Sequence, residues 1–243
     1  MSIVSSLRRA GPALALLALI VGCGRPDGNR SAQRSAEGTK PSDATPSQTR
    51  RVAVFLGTSL TDGYGLERNE AYPALIQQKI DSAGLAWSTV NAGLSGEKSA
   101  GARGRIGWLL RMPFDVLVLE TGANDMLQGT DVDSLRANLQ AIVDTVRAAR
   151  PNARIVLVGM RAAPNLGRAY VERFDPTYPE LAQRNGLTLI PFLLEGVAGN
   201  RDLNLADGVH PNARGHRIVA ETVWKTLEPI LRGESPPPAP AAS

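Results

Sequence analysis

The chain is sparing with the residues that most often announce a chemistry. Its 243 residues include one cysteine and two histidines. A single cysteine excludes an intramolecular disulfide, and two histidines six positions apart with no ligand cluster around them give no metal site. No apolar run reaches the ~20 residues of a membrane-spanning helix; the longest, Ala10 to Val21, has about twelve. Charge of one sign is also scarce where it would matter. Residues 1–50 carry seven basic and three acidic side chains, and residues 51–232 carry 20 and 19. The net +4 therefore belongs mainly to the N-terminal segment, and a nucleic-acid partner is excluded for lack of a basic footprint. Gly63-Tyr64-Gly65 lacks both the pattern and the partner lysine of a phosphate-binding loop, and no internal repeat is present. What remains is 43% hydrophobic and 21% charged, enough for a sizeable core in a cofactor-independent protein.

The ends of the chain read differently from its middle. Met1 to Gly22, with Arg8 and Arg9 before the apolar run, reads as a signal peptide. The following Ile20-Val21-Gly22-Cys23 resembles a bacterial lipobox, which implies lipidation of Cys23 and a membrane partner. Gly24 after that cysteine, rather than Asp, favours the outer membrane by the same resemblance; orientation is not readable from these residues, and a periplasm-facing protein is the expectation. Residues 24–50 contain no Val, Leu, Ile, Met or aromatic residue, so residues 23–50 are expected to form a lipidated, disordered tether. The Pro/Ala-rich residues 233–243 are expected to be a disordered tail.

Residues 51–232 alternate between two periodicities. Near-continuous apolar runs at Arg51–Leu56, Trp87–Ala92, Asp115–Glu120, Ile155–Val158 and Leu187–Ile190 predict five strands. Helical spacing places Ala71, Leu75, Ile76 and Ile80 on one face of Glu70–Gly84, and Leu135, Leu139, Ile142, Val143 and Val146 on one face of Val132–Arg150. Ile106–Leu110 lies in a further helix and Ala213–Leu231 forms the last one. Such alternation predicts one three-layer α/β/α domain with a parallel five-stranded sheet, and puts a functional site at the carboxyl ends of the strands.

Four blocks stand at those ends. They are Gly57-Thr58-Ser59-Leu60, Asn91-Ala92-Gly93, Gly122-Ala123-Asn124-Asp125 and, near the C-terminus, Asp207-Gly208-Val209-His210-Pro211. In this order they resemble the SGNH (GDSL-type) hydrolases, and most closely the thioesterase I/lysophospholipase L1/arylesterase group. Tyr72-Pro73-Ala74-Leu75 and Ile190-Pro191-Phe192-Leu193-Leu194 add to the likeness. The resemblance implies a flavodoxin-like fold and a cofactor-free serine hydrolase. It also implies an oxyanion hole built from the backbone N–H of Ser59, the backbone N–H of Gly93 and the side-chain amide of Asn124.

The residues make chemical sense on their own terms. A serine hydroxyl needs a base to remove its proton, and only His210 and His216 are available. Asp207 stands three residues before His210, where a carboxylate can hold the far ring nitrogen; His216 has no such neighbour and is assigned a structural role. Singly, each motif is more simply a turn, a cap or a surface pair. Together, with the chain's only Asp-x-x-His, they predict Ser59, Asp207 and His210 as the catalytic set. Thr58 departs from the family, which usually has Asp there; the expectation is altered loop rigidity or substrate preference, not loss of attack. Met126–Gly129 and Met160–Gly167 are expected to border an acyl pocket. The expected activity is hydrolysis of acyl, aryl or thio-esters or lysophospholipids. Removal of acetyl groups from envelope sugars and lipid binding without turnover are the alternatives.

Overall fold

The computed structural model describes residues 50–234. The signal peptide, Cys23, all but the last residue of the tether and most of the C-terminal tail lie outside the described residues.

Five parallel strands form one sheet in the order β2-β1-β3-β4-β5: β1 (Arg51–Gly57), β2 (Trp87–Gly93), β3 (Val116–Glu120), β4 (Arg154–Val158) and β5 (Thr188–Ile190). All five stand where the apolar runs predict them. Every residue of β3 is buried, as are the last five of β1, because helices cover both faces of the sheet. Helix α2 (Tyr72–Ser82) and the last helix, α8 (Ala213–Leu231), pack together; α3 (Ser99–Leu109), α5 (Val132–Ala149) and α7 (Thr177–Asn185) form the other set. Right-handed crossovers produce this segregation: the chain moves one way from β1 to β2, then reverses for β3, β4 and β5.

Local chemistry fixes the ends of these helices. Pro73 sits in the first turn of α2, where its missing N–H costs nothing. The Asp131 carboxylate accepts the Ser134 N–H at 3.0 Å and starts α5, whose five predicted inward residues are all fully buried. The Asn212 side chain caps α8 through the N–H groups of Arg214 and Gly215. Three shorter helices complete the picture: α1 (Ser59–Asp62), α4 (Ala123–Leu127) and α6 (Arg168–Phe174).

The reversal of strand order falls between β1 and β3. In an open parallel sheet the loops diverge at that point and leave a crevice above the strand ends. Helices α1 and α4 begin there, directly after β1 and β3, and they carry Ser59 and Asn124.

Candidate active site

Ser59 is the first residue of α1. Strand β1 delivers the chain into a sharp turn, and Gly63, at φ 84°, closes α1 with its N–H on the Ser59 carbonyl. The serine is 7% exposed. Its Oγ lies 2.9 Å from Nε2 of His210, and the other ring nitrogen, Nδ1, lies 2.7 Å from an Asp207 carboxylate oxygen. The second carboxylate oxygen accepts the backbone N–H groups of Val209 and His210 at 2.9 and 3.0 Å. Those backbone bonds, and the His210 ring, hold the Asp207 carboxyl down at about 2 although its side chain still reaches solvent. The Tyr64 ring lies against the imidazole, with centroids 4.6 Å apart. The structure therefore brings Ser59, His210 and Asp207 into one relay, with the base oriented by a carboxylate that is ionised across the physiological range.

The second histidine is elsewhere. His216 is buried in α8, stacked near Tyr72, and its Nδ1 accepts the Tyr72 backbone N–H at 3.1 Å. Burial lowers its pKa to about 4, so it stays neutral and serves packing.

The predicted oxyanion donors fare unequally. The Asn124 amide gives one proton to the Glu97 carbonyl at 3.0 Å, which fixes its plane and leaves the other for a ligand. The Ser59 N–H is the first of α1 and has no partner within its helix. Gly93 does not fit its predicted role. Its N–H is held by Asn91 Oδ1 at 2.9 Å, and the Asn91 amide is anchored on the Thr61 carbonyl at 2.8 Å. A side chain at Gly93 would collide with the backbone N of Asp62, so this glycine admits α1 against β2, not a substrate. Three residues on, Gly96 adopts φ 79°, and its N–H donates to no protein acceptor among the described residues. It immediately precedes Glu97, whose carbonyl holds Asn124. Arg105 pins this segment by gripping the Glu97 carboxylate at 2.7–2.9 Å and the Ala92 carbonyl at 2.7 Å. Sequence reasoning missed Gly96; the signal was the second glycine in Gly93-Leu94-Ser95-Gly96.

A cavity of about 400 Å³ opens at Ser59 and His210 and runs along the ends of β3, β4 and β5. Met126, Leu127, Met160 and Ala162 to Pro164 line it, so the two segments singled out in the sequence do border it through their first residues. Phe192 and Leu194 from beyond β5, and Val209, complete an apolar wall that the sequence had not assigned. Apart from the catalytic side chains and Asn124, the one polar side chain on the wall is Arg161, whose guanidinium lies over the Phe192 ring at 5.0 Å. A wider open groove between α2 and α8 contains neither Ser59 nor His210.

Comparison with known proteins agrees with this geometry. Residues 55–218 match the GDSL-like Lipase/Acylhydrolase family. The chain belongs to this family. Esterase TesA of Pseudomonas aeruginosa is 34% identical over 188 residues, covering 77% of this chain and 92% of that protein. Thioesterase 1/protease 1/lysophospholipase L1 of Escherichia coli K12 is 36% identical over 184 residues, covering 75% and 86%. Among solved structures, the psychrotrophic esterase EstA from Pseudoalteromonas sp., inhibited by monoethylphosphonate, superposes with a TM-score of 0.71 at 30% identity, covering 75% of this chain and 99% of that one. The three-layer α/β fold is that of SGNH hydrolase structures, and the protein is a serine ester hydrolase of the GDSL-like family.

Within that family Thr58 is the departure, and its surroundings explain how it is accommodated. Its hydroxyl does not turn to the loop N–H groups alone. It makes a long 3.5 Å contact with the Leu60 N–H, and it donates to the Glu120 carboxylate at 3.0 Å.

Proposed function

We propose that Ser59 is the nucleophile of an acyl-enzyme mechanism, and that the substrate is an ester whose acyl group is longer than acetyl. The relay Asp207–His210–Ser59 carries the first part. Ser59 Oγ attacks the ester carbonyl while His210 Nε2 takes the hydroxyl proton, and Asp207 supports the imidazolium that forms. The tetrahedral oxyanion is received by the N–H of Ser59, the N–H of Gly96 and Nδ2 of Asn124, each such donor lowering the barrier by about 3–4 kcal/mol. His210 returns the proton to the leaving alkoxide or thiolate. Water then attacks the acyl-serine with the same base, and the acid and free enzyme are released.

The apolar cavity carries the second part. A pocket of about 400 Å³ lined by Met126, Met160, Phe192 and Leu194 gives an acetyl group almost nothing to bury against, but it shelters a medium or long acyl chain. This favours aryl, thio- or lysophospholipid esters over acetylated sugars. The lone Cys23 in its lipobox-like setting supports a lipid-anchored protein of the bacterial cell envelope, facing the periplasm from the outer membrane. Loss of membrane fractionation in Cys23→Ala is the check on that assignment.

The activity is tested with the full-length protein, its Ser59→Ala variant and nitrophenyl esters from acetyl to palmitoyl. Hydrolysis should vanish in the variant and should favour chains beyond acetyl. Turnover that persists without the Ser59 hydroxyl, or a maximum at acetyl, would overturn the corresponding half of the proposal.

A further inference from the structure

Glu120, the last residue of β3, is fully buried directly beneath the nucleophile turn, and the mechanism above gives it no task. No salt bridge reaches it among the described residues. Its partners are instead three donors that bracket Ser59 in the chain. The Thr58 N–H reaches Oε2 at 2.8 Å, and the Thr58 hydroxyl reaches Oε1 and Oε2 at 3.0 and 3.1 Å. From the other side, the Thr61 hydroxyl reaches Oε2 at 2.8 Å. Thr61 Oγ1 also lies 2.8 Å from the Tyr72 hydroxyl; since its own proton goes to Glu120, the tyrosine donates. The site is closed around these groups, because a side chain at Gly57 would strike both Thr61 and the Glu120 carboxylate.

A carboxylate without a cation in a dry interior is expensive, and a well-packed apolar residue there is usually no less stable. Here Glu120 accepts from the residue just before Ser59 and from the residue two after it, so the orientation of α1's first turn depends on one acceptor. Only an ionised carboxylate takes all three donors without asking any of them to reverse.

We propose that Glu120 is a positioning residue for Ser59: through Thr58 and Thr61 it fixes the turn that aims Oγ at His210 and the first N–H of α1 at the oxyanion. The proposal rests on Ser59 being the nucleophile. It also assigns Thr58 a function: with threonine at this position the buried carboxylate has a neutral donor beside it, not a second acid.

The test is a double-mutant cycle on the full-length protein with Glu120→Gln and Thr58→Val, read by kcat, KM, the rate of labelling by a fluorophosphonate, and melting temperature. The Gln amide keeps the shape but turns one acceptor into a donor. Misplacement of a reacting group by a fraction of an ångström up to 1 Å costs about ten- to a hundredfold, so kcat and labelling should both fall about tenfold or more in Glu120→Gln. KM should stay within about twofold, since the acyl pocket is untouched. The melting temperature should change by no more than a few degrees, because relief of the buried charge offsets the donor left without an acceptor. Thr58→Val should lower kcat in the same way, and the double variant should be little worse than Glu120→Gln, since both act through one contact.

Unchanged kcat and labelling in Glu120→Gln would overturn the proposal, as would losses in the two single variants that simply add. A fall in melting temperature that accounts for the lost activity would reduce Glu120 to a structural acid. If Glu120→Gln does not fold, Thr58→Val decides alone: full kcat there rejects the proposal. Failure of the underlying reading looks different, because wild-type protein would then be inert to the fluorophosphonate.

Discussion

Nε2 of His210 stands 2.9 Å from the Ser59 hydroxyl across 151 residues of chain, while Asp207, which orients the same ring, is only three residues away. The two contacts are held by different means. Base and acid are preassembled by one loop whose backbone N–H groups also bind the carboxylate. Base and nucleophile meet only because the segment before α8 folds back over the end of β1.

That arrangement predicts a sharp effect of Asp207→Asn. The amide matches the shape of the carboxylate but no longer supports an imidazolium, so kcat should fall by about 10³–10⁴ with the fold retained. The Asp207 pKa of about 2 also sets the pH behaviour. A folded-state pKa below the unfolded carboxylate value gives stability that is present above that value and is lost only as pH falls towards about 2. Buried, neutral His216 acts at higher pH than Asp207: its folded-state pKa of about 4 lies below that of an unfolded histidine, so stability should fall as pH drops through that interval, before Asp207 is protonated. The acid limb of kcat/KM should report protonation of the base. Activity and near-UV circular dichroism followed together down the pH scale check this.

Restoring the residue usual in the family should carry a penalty in this chain. Thr58→Asp places a second carboxyl against Glu120, whose pKa is already raised, chiefly by burial. Two acids at hydrogen-bonding distance share one proton, so the pair's second pKa rises further. A raised folded-state pKa means that the folded protein holds a proton the unfolded chain has released. Stability is then lost as pH climbs from the normal carboxylate range through the raised value. The melting temperature of Thr58→Asp relative to wild type should decline steadily from mildly acidic to mildly alkaline buffer. A constant difference would show that no proton is shared.

Chain-length preference should be adjustable from one wall of the cavity. Ala163 lines it, and its N–H is held by the Met126 sulfur at 3.2 Å. Ala163→Phe fills space that an acyl tail would occupy. Specificity differences of about 1–3 kcal/mol attach to single groups in apolar pockets, so kcat/KM for palmitoyl esters should drop at least about tenfold while butyryl esters change little. An equal loss at every chain length would place the acyl group elsewhere.

The parts of this molecule that were legible in the sequence are those with a long or uninterrupted pattern. β1 and β3 showed as apolar runs because both of their faces are covered, and α5 showed through a full stripe of inward residues. Helices α1, α4 and α6 escaped because four, five and seven residues are too few to establish a period. α7 was hidden by Pro176 and Pro179, which read as breaks although one is its N-cap and the other lies in its first turn. The catalytic residues could be read because histidine is so rare here that few combinations exist. The environment of Glu120 could not. A glutamate ending a strand looks like a solvent-facing residue until the fold closes over it.

Gly93 and Gly96 show the same boundary most sharply, and they give the last prediction. Spacing cannot tell which of two glycines three apart offers a free N–H; that is decided by where the Asn91 side chain goes. Since Asn91 holds the Gly93 N–H, and Gly93 abuts the Asp62 backbone, Gly93→Ala should act on stability, with a melting temperature several degrees lower. Its kcat, measured on protein still folded in the cold, should remain within a few-fold of wild type. Gly96 has open space where a side chain would go but a positive φ that strains any other residue by about 1–2 kcal/mol. Gly96→Ala should therefore melt only a few degrees below wild type yet lose kcat far more than that strain explains, with little change in KM, because its N–H is tilted away from the oxyanion. Asn124→Ala provides the scale, since loss of one oxyanion donor costs about 10²–10³ in kcat. If Gly93→Ala were instead the catalytically crippled but thermally normal variant, Asn91 would have to release its amide during turnover, and Gly93 would resume the role its sequence position implied.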